Sequence, residues 1–65
     1  MGFSENLKVL RKASKIDQIT LAKKLNVSSK TISHWETGYT EPSITQLIAL
    51  ANVFDISIDE LVERK

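Results

Sequence analysis

Apolar residues recur along this chain at helical spacing, and the polar residues between them mark where each helix starts and stops. Phe3, Leu7, Leu10 and Ser14 fall at i, i+4, i+7 and i+11, which predicts a first helix over about 3–14. Asp17 suits an N-cap for a second helix over about 18–25, with Leu21, Ala22 and Leu25 facing inward. A third runs between Ser28 as N-cap and Gly38, a residue free to take positive φ at a helix end. Ser43-Ile-Thr-Gln46 and Ser57-Ile-Asp-Glu60 both have the capping-box form. Each opens an apolar stripe: Ile44, Leu47, Leu50, Ala51 and Phe54 in one, Ile58, Leu61 and Val62 in the other. Pro42 stands just ahead of the first box, where no helical N–H is required. Strand-like alternation is confined to Asp55–Asp59. The pattern is all-α: a bundle of five short helices.

The third helix departs from the others. Only Ile32 and Trp35 are apolar within it, three residues apart, so Ser29, Lys30, Ser33 and His34 share the opposite side. That is little core material from a chain so short that it buries only about 60% of its unfolded surface. The polar side is either a solvated face or a working surface. Asn26-Val27-Ser28, three residues, join the second and third helices, and Asn26 tolerates a left-handed conformation. Two helices so joined form a helix–turn–helix, whose second helix can enter the major groove of DNA.

Composition narrows the choice. The 65 residues make one small domain, spanning 1–65, with 42% hydrophobic content and no cysteine to supply disulfides or thiolate ligands. No apolar run approaches the ~18 residues of a membrane span, and no charged-then-apolar leader opens the chain, so a cytoplasmic protein is expected. His34 is the sole histidine, and no nucleophile–base pair is apparent, so neither a metal, a cofactor nor catalytic residues are expected. The net charge of +1 conceals an asymmetry: residues 1–35 carry seven bases against Glu5 and Asp17, or +5, and residues 36–65 carry −4. Such a dipole can present a basic face to phosphates. An ordinary mixed surface is the alternative.

From Leu7 to about Val62 the chain resembles the phage-repressor and Cro type of helix–turn–helix domain, the XRE family. The resemblance rests on LRKASKIDQITLAKKLNVSSKTISHWETG and EPSITQLIALANVFDISIDEL, and most specifically on Gln18-x-x-Leu21-Ala22 and Ile32-Ser33-x-Trp35-Glu36-x-Gly38. It implies a lambda-repressor-like bundle that binds double-stranded operator DNA as a transcriptional regulator, most often a repressor. Asn26 and Asp55 replace glycines common in the family, and both tolerate positive φ.

Carried onto this chain, the resemblance assigns Ser29, Lys30, Ser33 and His34 to base edges. It assigns Gln18 to a DNA phosphate; Ser28, Thr31, Thr37 and Thr40 are further candidates for contact with the DNA backbone. Arg11 and Glu36 match a charge pair that ties the first helix to the third. Trp35 shares a register with Ile32 and Val27, which favours core over base stacking. The expected core comprises Leu7, Leu10, Leu21, Ala22, Leu25, Val27, Ile32, Trp35, Ile44, Leu47, Leu50, Ala51, Phe54, Ile56 and Leu61. Apolar residues of the last turn and helix (Phe54–Ile56, Ile58, Leu61 and Val62) suggest a weak homodimer through the helix 4–5 end on an inverted-repeat operator. Two other readings stay open: the DNA-binding half of an antitoxin or larger regulator, and a helical protein-interaction module without DNA binding, which the modest net charge favours.

Overall fold

The computed structural model describes residues 2–62. Five helices follow one another: α1 (Phe3–Ala13), α2 (Gln18–Leu25), α3 (Ser29–Thr37), α4 (Ile44–Phe54) and α5 (Ile58–Val62). Every regular element among the described residues is helical. Side chains close the starts of α2, α3, α4 and α5 as the sequence predicts. Asp17 accepts from the Thr20 N–H at 2.7 Å, and Ser28 accepts from the Thr31 N–H at 3.1 Å. Ser43 and Gln46 bond reciprocally across the first turn of α4, and Ser57 and Glu60 do the same at α5.

Four helices end alike. Lys15, Asn26, Gly38 and Asp55 each take positive φ, between 57° and 82°. Each donates its N–H to a carbonyl three residues back, and the residue after it donates to a carbonyl five back: Ile16 to Arg11, Val27 to Ala22, Tyr39 to His34 and Ile56 to Ala51. This is the Schellman arrangement, which satisfies helix-end carbonyls and turns the chain sharply. It stops α1 at Ala13, one residue before the expected Ser14, which is exposed.

Every helix contributes to the core: Leu7 from α1, Leu21 and Ala22 from α2, Ile32 and Trp35 from α3, Leu50 and Ala51 from α4, and Leu61 from α5. Burying a large apolar side chain contributes about 1.5–3 kcal/mol. Leu10, Leu25, Val27, Leu47, Phe54 and Ile56 are half-buried against this cluster, joined by Phe3, Ile16 and Val53. α3 packs against α1 and α2, while α5 packs against α1 and α4. The Asn6 amide closes the bundle by donating to the Glu60 and Leu61 carbonyls, each at 2.7 Å.

Ile44 is not core; it is 74% exposed. It lies seven residues before Ala51 and so on nearly the same face, but it begins α4, at the edge of the buried arc. The apolar surface of the α4–α5 end also differs from expectation. Leu61 is wholly buried and Phe54, Ile56 and Val62 are half-buried, so Ile44, Ile48 and Ile58 are its exposed apolar residues. No helix among the described residues is long and apolar enough to cross a membrane.

Candidate nucleic-acid interface

The α2–α3 corner is fixed by local chemistry on both sides of the turn. Asn26 turns the chain with φ 60° and ψ 44°, Val27 packs on the core, and Ser28 restarts the helix in extended conformation. Ile32 and Trp35 then pin one edge of α3 inside the molecule. The helix cannot rotate without exposing the indole, so the opposite arc has a set direction. Ser29 and Lys30 are exposed on that arc, and Ser33 and His34 are half-exposed one turn on. The four predicted base-edge residues therefore come together as two i,i+4 pairs. The side chains of Ser29, Lys30 and Ser33 make no hydrogen bond or ion pair within the described protein.

The predicted backbone-contact residues flank this arc, and several are already engaged. Ser28 and Thr31 hydroxyls lie 3.0 Å apart at the start of α3. The Thr37 hydroxyl donates to the His34 carbonyl at 3.2 Å, and the Thr40 N–H reaches the same oxygen at 3.4 Å. Thr37 and Thr40 are exposed at the far end of the helix.

A buried ion pair sets how α3 sits. Arg11 Nε donates to Glu36 Oε2 at 2.6 Å and Arg11 Nη2 to Glu36 Oε1 at 3.2 Å, with both residues 9% exposed. Two parallel bonds fix orientation as well as distance. The hydrogen bonds and charge of Glu36 hold the Arg11 guanidinium above the usual arginine range. Arg11 Nη1 also donates to the Ile16 carbonyl at 2.9 Å, fastening the α1–α2 turn. The pair links α1 to α3 as the family resemblance implies.

The sequence did not point to the third member of this network. Gln18 Nε2 donates to Glu36 Oε1 at 3.0 Å, so the first residue of α2 is tied to the last turn of α3. Gln18 is half-buried and retains its second amide N–H. Asp17, immediately before it, has its carboxyl held below the ordinary aspartate value, chiefly by hydrogen bonds from the Thr20 backbone and side chain. No three His, Asp or Glu side chains among the described residues lie where they could share a metal ion.

A second unpredicted contact lies at the end of α3. The His34 and Tyr39 rings are 4.7 Å apart between centroids and inclined at 56°. The spacing could have revealed it, because a residue following a helix-ending glycine meets the one five positions earlier.

This geometry has close counterparts. Residues 7–61 match the helix-turn-helix family. The uncharacterized HTH-type transcriptional regulator YqaE of Bacillus subtilis is 39% identical over 94% of this chain and 53% of its own length. The curated relatives are about twice as long as this chain or longer. A transcriptional regulator from Listeria innocua superposes with a TM-score of 0.91 and 41% identity, over 97% of this chain and 59% of that one. The P22 c2 repressor, solved with a synthetic operator, gives a TM-score of 0.90 at 36% identity, covering 97% of this chain and 96% of that one. With the corner, the pinned α3 and the family match in agreement, the chain belongs to the XRE-type helix-turn-helix family.

Proposed function

We propose that this protein is a sequence-specific double-stranded DNA-binding regulator of transcription that places α3 in the major groove. The carrying observation is the asymmetry of α3: one edge is pinned by Ile32, Trp35 and the Arg11–Glu36 pair, and the other offers Ser29, Lys30, Ser33 and His34 outward. Lys30 can donate to guanine O6 or N7, His34 can donate to or accept from a base edge, and the serines suit either. Gln18, Ser28, Thr31, Thr37 and Thr40 would lie along the sugar-phosphate backbone. Gln18 would use the amide N–H that Glu36 leaves free, beside the N-terminus of α2. The likeness to an operator-bound repressor supports action by operator occupancy.

Two copies on an inverted repeat fit this reading, with half-sites about one helical turn, ~34 Å, apart. Ile44, Ile48 and Ile58 are the apolar residues the α4–α5 end has available for such a contact. Selection of bound duplexes from a randomised pool, followed by titration at low and moderate salt, tests the proposal. Enrichment of one symmetric motif with salt-sensitive affinity supports it. Absence of binding at low salt would favour a protein-interaction module instead.

A further inference from the structure

We propose that Tyr39 is a positioning residue for base recognition, holding the His34 ring in the orientation that reads DNA. The inference rests on the reading of α3 as the DNA-facing helix and adds a residue that reading does not include.

The argument starts from the four equivalent helix ends. In a Schellman ending, the residue after the left-handed one donates its N–H to the carbonyl five positions back, which brings the two residues together. In three of them the later residue serves the core. Ile16 follows Lys15 and pairs with Arg11, Val27 follows Asn26 and pairs with Ala22, and Ile56 follows Asp55 and pairs with Ala51. The earlier partner is buried each time, and each later residue packs on the core cluster. At the end of α3 the same backbone turn produces a different outcome. Tyr39 follows Gly38 and pairs with His34, and Tyr39 is 75% exposed. An aromatic ring this exposed adds little to the core; its ring contact is with His34, at a separation and tilt favourable for aromatic pairs.

The backbone beneath the pair is held as firmly. The His34 carbonyl accepts the Tyr39 N–H at 2.9 Å and the Thr37 hydroxyl at 3.2 Å. His34 is thus held at its main chain by the turn and contacted at its ring by Tyr39. A half-exposed histidine without such a neighbour must give up rotamer freedom when it meets a base. A ring already packed has given up part of that freedom beforehand. The expected consequence is discrimination at the base pair His34 faces, rather than affinity for DNA in general.

The test uses the selected duplex and a panel in which each base pair is replaced singly. His34→Ala should flatten preference at one pair per half-site by about tenfold. Tyr39→Leu should flatten the same pair several-fold and leave the pair read by Lys30 unchanged. Tyr39→Phe, which keeps the ring, should retain wild-type preference, and adding Tyr39→Leu to His34→Ala should cost no further discrimination. Helical circular dichroism should be unchanged throughout, because Tyr39 is outside the core. Uniform weakening across the panel by both Tyr39 variants would overturn the inference and make the hydroxyl a DNA-backbone contact. Flattening by His34→Ala but not by Tyr39→Leu would also overturn it, leaving the DNA-reading face intact. If His34→Ala flattens no pair, the assignment of His34 to a base fails first, and the inference falls with it.

Discussion

Arg11 and Glu36, 25 residues apart in sequence, meet through two hydrogen bonds inside the protein, and Gln18 completes the carboxylate's coordination. One carboxylate thereby links α1, the start of α2 and the end of α3. A buried pair stabilises little compared with a well-packed apolar replacement, but removing one partner strands the other charge. Glu36→Gln or Arg11→Met should therefore destabilise by about 3–5 kcal/mol, and a double-mutant cycle should show strong coupling. Coupling below ~1 kcal/mol in urea denaturation would mean that packing alone orients α3.

Backbone strain offers an independent test. Lys15, Asn26 and Asp55 all occupy the left-handed region, but only Lys15 lacks a short polar side chain suited to it. Lys15→Gly relieves about 1–2 kcal/mol of strain. Added glycine freedom in the unfolded chain offsets about 0.5–1 kcal/mol of that. The variant should melt a few degrees higher, and Asn26→Gly should gain less. A lower melting temperature for Lys15→Gly would contradict the strain assignment.

What the sequence revealed and what it hid divide along a physical line. Asp17, Ser28, Ser43 and Ser57 were legible as caps because a cap is chemistry between residues two or three apart. Trp35 was legible as core because its register with Ile32 is set by the helix itself. Ile44 matched the periodicity of α4 equally well, yet exposure depends on whether a neighbouring helix reaches the first turn, which periodicity does not encode. Lys15 carries no compositional sign of positive φ, so apolar periodicity alone carries α1 one residue past its end. Gln18 and Glu36 are far apart in the chain, and nothing local joins them. The Arg11–Glu36 pair was anticipated only through family resemblance.

Acid should weaken the α2 cap through Asp17. Its folded carboxyl titrates below its unfolded value because Thr20 hydrogen bonds favour the charged form. The associated stability is present above the unfolded value and is lost as pH falls through the folded one. Asp17→Asn retains a capping oxygen but removes the ionisation. Wild type should lose its advantage over Asp17→Asn between about pH 6 and about pH 2, measured by denaturant unfolding. An advantage unchanged across that range would contradict the charged cap.

The most direct test of the outward arc of α3 compares Lys30→Ala with Gln18→Ala on the single-substitution duplex panel. A base contact discriminates, whereas a phosphate contact holds without reading. Lys30→Ala should relax preference at one base pair per half-site by about 1–3 kcal/mol. Gln18→Ala should weaken binding evenly across the panel and leave the salt slope nearly unchanged, because the lost donor is uncharged. If Lys30→Ala leaves every base preference intact, and His34→Ala does the same, the arc is a solvated surface and α3 does not read DNA.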